Sequence, residues 1–262
     1  MSGKRPHLLV GERRREIVKL LKDDGRVSVG HLVRRFGVSA VTLRGDLEQL
    51  AEQGILVRSY GGAMLPQEPH QNFPLKIKKT IYHAEKTRIG KAAAKLVRPH
   101  QTVILDSGTT TVEVARALKQ TKLESLTVIT HALNVAGEFV DAPDISVIMI
   151  GGVMRHVSGS FVGPQAERFL SELHADHFFL GVDGLDPEIG YSTPDLLEAL
   201  LNTHMMRISH EVTVLADASK FGRRSLSVIG ATNSVRRIIT DDRVRPETLD
   251  AIRSKGVEVI VA

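Results

Sequence analysis

The tightest constraint in the chain is a single interruption. Between Ser28 and Gln53, the run SVGHLVRRFGVSAVTLRGDLEQLAEQ holds two helical periodicities separated by Phe36-Gly37-Val38. The first opens at Ser28, a residue suited to capping a helix, and predicts a buried face of Leu32, Val33 and Phe36. The second opens at Ser39 and repeats Leu43, Leu47 and Leu50 at i, i+4 and i+7. Gly37 stands where the chain has to reverse with positive φ, a conformation that a side chain would strain. Two helices around such a turn form a helix-turn-helix, whose second helix can enter a DNA major groove. Plain helical bundles use glycine turns too, so the spacing alone leaves both readings open.

Charge and the residues that follow favour DNA. Residues 1–60 carry twelve Lys/Arg against seven Asp/Glu, and the remainder carries twenty-three of each. The net charge of +5 therefore lies entirely on the helix-turn-helix segment, the electrostatic footprint that a polyanion requires. GILVRSYGG, residues 54–62, reads as strand, turn and return, the wing of a winged helix, to which Val27 adds a short strand. Ser28, Arg34, Ser39, Thr42, Arg44, Gln49, Arg58 and Tyr60 are the candidate DNA-facing residues. Short side chains near the start of the second helix, with Gly45, let its backbone approach the duplex, and Arg44 can reach a phosphate or a guanine edge. Upstream, Glu12–Lys22 is amphipathic with Ile17, Leu20 and Leu21 inward. Arg13, Arg14 and Arg15 either touch phosphate or form a solvated run of like charge.

Composition narrows the remaining classes. With no cysteine there is neither a disulfide framework nor a thiolate metal site, and the scattered histidines lack metal-ligand spacing, so no metal or other cofactor is expected. The opening MSGKRPHLLVGERRRE has no apolar core of a leader, and no run approaches a membrane span, which predicts a cytoplasmic protein without a membrane partner. The absence of tryptophan and the scarcity of aromatics argue against stacking on single strands.

Residues 64–73, MLPQEPHQNF, hold two prolines and no periodicity, so the expected organisation is a DNA-binding domain over 1–63, a linker over 64–83 and a second domain over 84–262. Lys76–Val97 reads as one helix with Ile89, Ala92, Ala93 and Leu96 as an apolar stripe against that second domain. From Thr102 short apolar strands alternate with helices, which predicts a mostly parallel α/β sheet covered on both faces. Ligands of such sheets bind beyond the carboxyl ends of the strands. Asp106-Ser107-Gly108-Thr109-Thr110-Thr111 joins a strand end to a helix start and offers N–H groups and hydroxyls to an anion. A capped tight turn would use the same residue types, but three threonines exceed what a cap needs. Thr130, Gly151, Gly152, Asp183 and Gly184 lie at neighbouring strand ends. Lys220 supplies a cation, and Asp183 and Asp217 suit sugar hydroxyls.

These stretches resemble the DeoR family of bacterial transcriptional regulators along nearly the whole length. The resemblance is carried by RVSVGHLVRRFGVSAVTLRGDLEQLAEQGILVRSYGGA, ILDSGTTT, VITHALNVA, IGGVMR, FLGVDGLD, GYSTPDLLEA and LADASKFGR. It looks closest to members that repress amino-sugar catabolism, through YGGAM, SFVGPQAE and FLGVDG. The family implies a winged helix-turn-helix domain, then a sugar-phosphate-isomerase-like sensor domain that binds a phosphorylated sugar. It also implies a homodimer or homotetramer that acts as a repressor on double-stranded operator DNA. Carried onto the matching motifs, the effector set is Asp106, Ser107, Gly108, Thr109, Thr110, Thr111, Thr130, His131, Asn134, Gly151, Gly152, Arg155, Asp183, Gly184 and Lys220. His131 stands where relatives commonly have asparagine; it either bonds a sugar hydroxyl or is a satisfied loop histidine. Gly45 stands where relatives usually place a polar or basic side chain, so the operator sequence does not carry over.

The sensor half is also similar to ribose-5-phosphate isomerase, which raises an enzyme with an appended DNA-binding module as the competing reading. Enediol chemistry needs a positioned general base. Here DPEIGYSTPDLLEA lacks the glycine run and Glu-Lys pair expected after Asp183-Gly184, leaving Asp195 and Glu198 as carboxylates. A binding pocket without catalytic residues is the expectation.

Overall fold

The computed structural model describes residues 8–262 apart from 25, 54, 60, 65–74, 80 and 122. The chain divides into two compact units, residues 1–68 with 76–83, and residues 84–262 with 69–75.

In the N-terminal unit the elements run α1 (Val10–Asp24), β1 (Arg26–Ser28), α2 (Val29–Phe36), α3 (Ala40–Glu52), β2 (Val57–Ser59) and β3 (Gly62–Met64). Ser28 and Ser39 cap α2 and α3 by accepting the N–H of His31 and Thr42, each at 3.1 Å. Gly37 closes α2 in the left-handed region at φ 69°, with its N–H donated to Val33 O at 2.9 Å. The strands form a three-stranded antiparallel sheet in the order β1-β3-β2, so Ala63 of β3 faces both Val27 and Arg58. Ile17, Leu21, Leu32, Leu43, Leu47 and Leu56 are fully buried in one core, each contributing roughly 1.5–3 kcal/mol. Val33 and Phe36, expected to be buried with Leu32, pack only partly against it.

One corner of this unit is ionic. Asp46, on the inward side of α3 and 3% exposed, accepts Arg13 Nε at 2.5 Å and Arg14 Nε at 3.0 Å. Neither arginine is a solvated charge, and Arg13 is itself buried. The pair fixes α1 against α3. Asp46→Ala would leave Arg13 buried without its counter-charge. It is expected to destabilise the N-terminal unit by about 3–5 kcal/mol. The measurement is a urea titration in which the midpoint of this unit falls while that of the C-terminal unit stays in place.

The helix expected over residues 76–97 is interrupted. α4 (Leu75–Lys78) is a single turn, Tyr82 takes φ 53°, which no α-helix accommodates, and α5 (His83–Ala94) follows. Of the apolar stripe, Ile89 and Ala93 are fully buried, and Ala92 and Leu96 pack partly against the same core.

The C-terminal unit continues β4 (Thr102–Leu105), α6 (Thr109–Thr121), β5 (Leu126–Thr130), α7 (Leu133–Ala136), β6 (Ile145–Met149), β7 (Val153–Arg155), β8 (Ser160–Val162), α8 (Pro164–Leu170) and β9 (Ala175–Gly181). It closes with β10 (Gly184–Asp186), β11 (Gly190–Thr193), α9 (Leu196–Arg207), β12 (Ser209–Leu215), β13 (Ser227–Gly230), β14 (Arg237–Thr240), α10 (Pro246–Arg253) and β15 (Glu258–Val261). Seven strands form one parallel sheet in the order β15-β14-β12-β9-β4-β5-β6. Alternate residues feed two cores: Val103, Leu105 and Phe179 pack with α5 and α6 on one face, and Ile104, Phe178 and Leu180 with α8 and α9 on the other. The hairpin β7–β8 and the antiparallel sheet β10-β11-β13 were not evident from periodicity, because β7, β8 and β10 have three residues each and β11 and β13 mix glycine and serine with few apolar residues.

Candidate functional site

Strand order locates the crevice. From β4 the sheet grows through β5 and β6 on one side and through β9, β12, β14 and β15 on the other. The carboxyl ends of β4 and β9 therefore diverge at a topological switch point, where doubly wound sheets bind ligands. Asp106 follows β4 directly, and its Oδ2 accepts the Gly181 N–H at the end of β9 at 3.0 Å, bridging the switch. Ser107 and Gly108 lead into α6, whose 13 residues begin at Thr109 and point a helix N-terminus at the crevice.

The neighbouring strand ends bring charged side chains to the same place. His131, beyond β5 and fully buried, puts Nε2 3.6 Å from Asp106 Oδ1. Arg155, at the end of β7, reaches Asp195 Oδ2 at 3.0 Å, Glu198 Oε2 at 2.5 Å and Ser158 Oγ at 2.8 Å. Lys220 Nζ lies 3.4 Å from Asp183 Oδ1. Glu198 and Asp183 both act electrostatically on Asp106, and Arg155 acts on His131, so these groups share one site. Asp106 Oδ1, both ring nitrogens of His131 and Asn134 Oδ1 are buried with no hydrogen-bond partner. Unmet polar atoms are rare in a folded interior, and these make the crevice the candidate ligand site.

Several expected ligand groups are committed internally instead. The Thr111 hydroxyl lies 2.7 Å from the carbonyls of Asp106 and Gly108 and holds the turn into α6. Thr130 Oγ1 donates to Leu105 O at 2.7 Å and ties β5 to β4. Asp217 caps the turn Ala218–Lys220 by accepting the Ser219 N–H at 3.0 Å. Gly184 is a packing position, since a Cβ there would stand 2.6 Å from Ser192 Oγ and 2.7 Å from Arg223 O. Gly151 and Gly152 lie exposed between β6 and β7, and Thr109 and Thr110 stand at the start of α6. Asp195 and Glu198, which the sequence marked only as leftover carboxylates, are the partners of Arg155. Among the described residues no group of His, Asp or Glu is arranged to hold a metal ion, and no helix is long and apolar enough to cross a membrane.

On the N-terminal unit, Ser39 at the cap of α3 and Thr42, Arg44, Gly45 and Gln49 on its outer face are exposed, as are Ser28 at the end of β1 and Arg34 on α2. Arg58, expected to face DNA, is engaged within the unit. Its Nη1 donates to Arg44 O at 2.9 Å and to Glu48 Oε2 at 3.1 Å, bracing the wing on α3. Tyr60 lies outside the described residues. Val41, 74% exposed beside Thr42, was missed; its being out of phase with the leucines was the available signal, and such an apolar tip suits a thymine methyl.

Burial and the facing Glu198 carboxylate push the Asp106 carboxyl up to about 8, and burial beside Arg155 holds His131 down at about 4. For Asp106 the native state holds a proton that the unfolded chain has released, so its contribution falls as pH rises from the ordinary carboxyl range to 8. His131 works in the opposite sense between about 4 and 6.5, so of the two Asp106 alone acts from 6.5 to 8. Asp106→Asn is accordingly expected to remove the loss of stability over that upper window. Its unfolding midpoint at pH 8 should exceed that of the parent by at least about 2 °C in a pH series of thermal melts.

A family model for the DeoR C terminal sensor domain matches residues 81–242, and one for the DeoR-like helix-turn-helix domain matches residues 13–68. The chain is 40% identical over 262 residues, 99% of its length and 97% of the relative's, to a protein named for repression of the aga operon in Escherichia coli O157:H7. It is 34% identical over 230 residues, 88% of its length and 90% of the relative's, to the glycerol-3-phosphate regulon repressor of Escherichia coli K12. Among solved structures, ribose 5 phosphate isomerase A from Neisseria gonorrhoeae covers 53% of each chain at 16% identity, with a TM-score of 0.40. With both of its domains matched in order and its relatives aligned nearly end to end, the chain belongs to the DeoR family.

Proposed function

We propose that this protein is a transcriptional repressor of sugar or amino-sugar catabolic genes whose grip on operator DNA is set by a phosphorylated sugar. The carrying observation is the crevice at the β4–β9 switch. It combines a helix N-terminus, Arg155, Lys220 and the unpartnered atoms of Asp106, His131 and Asn134. An anionic group is received by the turn Ser107–Thr110 and the cations, and the polar atoms take hydroxyls. The names of relatives, for the aga operon and the glycerol-3-phosphate regulon, support a role in carbon catabolism. They are names of regulators, which disfavours the isomerase reading.

In this reading residues 1–63 are the DNA-binding domain, 64–83 the linker and 84–262 the sensor, and the protein works in the cytoplasm. α3 enters the major groove with Ser39, Thr42, Arg44 and Gln49 toward the bases and phosphates, and a homodimer or homotetramer presents paired modules to half-sites one helical turn apart. The effector shifts DNA affinity by about 5- to 150-fold, the range of a coupling of about 1–3 kcal/mol, by binding the DNA-free arrangement better.

A thermal-shift screen of phosphorylated sugars tests the sensor directly, since a ligand at 100 times its Kd stabilises the native state by about 2.7 kcal/mol. Thr110→Val combined with Lys220→Met should bind operator DNA as the parent does yet fail to respond to the stabilising sugar; a normal response would put the pocket elsewhere. Arg44→Ala should weaken operator binding and, if the contact is to phosphate, lower the slope of log K against log salt by about 0.9. Unchanged affinity would remove Arg44 from the interface.

A further inference from the structure

Four carboxylates meet in the crevice, and three of them have a permanent cation. Asp195 and Glu198 share Arg155, and Asp183 has Lys220. Asp106 faces His131 instead, at 3.6 Å, and that imidazole has no hydrogen-bond partner on either nitrogen. Asp106 is also the residue from which the turn into α6 springs, so an anion received by that turn lies against its carboxyl. The surroundings from every element are then His131 beyond β5, Asp183 beyond β9, Arg155 on β7, Asp195 and Glu198 at the start of α9, and Lys220. Among the described residues both cations placed here, Arg155 and Lys220, are engaged by acids, so a dianionic phosphate entering adds charge to a site that is negative on balance.

We propose that the crevice binds its phosphate ester together with one proton, carried by the buried Asp106–His131 pair. This deepens the effector reading above and rests on it. The buffer acid gives up one proton, which forms an O–H bond on the Asp106 carboxyl, and no bond between heavy atoms forms or breaks. Protonated, Asp106 no longer repels the ligand and its Oδ1, otherwise unpartnered, becomes a donor to a ligand oxygen. The raised affinity of Asp106 for protons, with its carboxyl up to about 8, agrees with this arrangement, because a nearby dianion raises it further. Below that range the proton is already in place; above it, the ligand has to bring one in.

The test is calorimetric titration of the full-length protein with N-acetylglucosamine 6-phosphate and with ribose 5-phosphate, neither of which carries an amine that titrates near neutrality. Each titration is run in Tris and in bicine, whose heats of ionisation differ, at pH 7, 8 and 9. Uptake is expected to approach one proton per ligand at pH 9 and to fall toward none at pH 7, with Kd weakening up to about tenfold per pH unit above 8. Asp106→Asn should bind with no uptake and a flat pH profile. Glu198→Gln, which removes the facing charge, should move the onset of uptake to lower pH. Binding of either probe without uptake at pH 9, or undiminished uptake by Asp106→Asn, overturns the proton linkage while leaving the effector site standing. If neither probe binds at any pH, the effector reading falls and this inference falls with it.

Discussion

The bond from the Gly181 N–H to Asp106 Oδ2 holds the sensor site together. It spans the one place in the seven-stranded sheet where neighbouring strands leave in opposite directions, and it does so with a side chain only 1% exposed. A carboxyl in that position both stitches β4 to β9 and sets the electrostatic character of the crevice. Burial works against its charge, Glu198 and Asp183 add to that, and the Ser107 and Gly181 N–H groups oppose them. The result is an acid whose state depends on what lies beside it, next to a helix N-terminus that favours anions. Arg155 links this centre to α9 through Asp195, which is also the N-cap of that helix, accepting the Glu198 N–H at 2.9 Å. A ligand that draws on Arg155 therefore acts on the start of α9 as well.

The N-terminal unit uses charge in two different ways. The excess of positive residues before Tyr60 creates the long-range attraction to a polyanion. Part of it is nonetheless structural, because Arg13 and Arg14 are held by the buried Asp46 and Arg58 is held by Arg44 O and Glu48. These contacts orient α3 from both sides, from α1 behind it and from the wing beside it. Outward on α3 and at its cap stand Ser39, Val41, Thr42, Arg44, Gly45, Glu48, Gln49 and Glu52. A helix clamped in this way has little conformational freedom left to lose on binding.

Most of the architecture was legible in the residue pattern. Leucines at helical spacing, serine caps and one left-handed glycine specify the helix-turn-helix, and repeated apolar runs after Thr102 specify the strands of the parallel sheet. What escaped detection is short or non-periodic: the hairpin β7–β8, the small sheet β10-β11-β13, and the break at Tyr82 within an otherwise helical stretch. The site was legible as a neighbourhood but not in its division of labour. Ser107, Gly108, Arg155, Asp183 and Lys220 were all identifiable as residues at or near strand ends, yet nothing local distinguishes Thr110 from Thr111, or Asp183 from Asp217.

By itself, then, the sequence determined which local elements form, where the positive charge gathers and which residues stand beyond the carboxyl ends of strands, because each follows from spacing along the chain. The tertiary structure alone decided which of those polar groups stay open to a ligand. Thr130 is closed off by a carbonyl 25 positions away, whereas Asp106 gives only Oδ2 to an N–H 75 positions away and keeps Oδ1 unpartnered. A hydrogen bond is made or lost over a few tenths of an ångström. Partners brought together from distant strands are set by how the sheet is wound, and no pattern in the neighbouring residues records that.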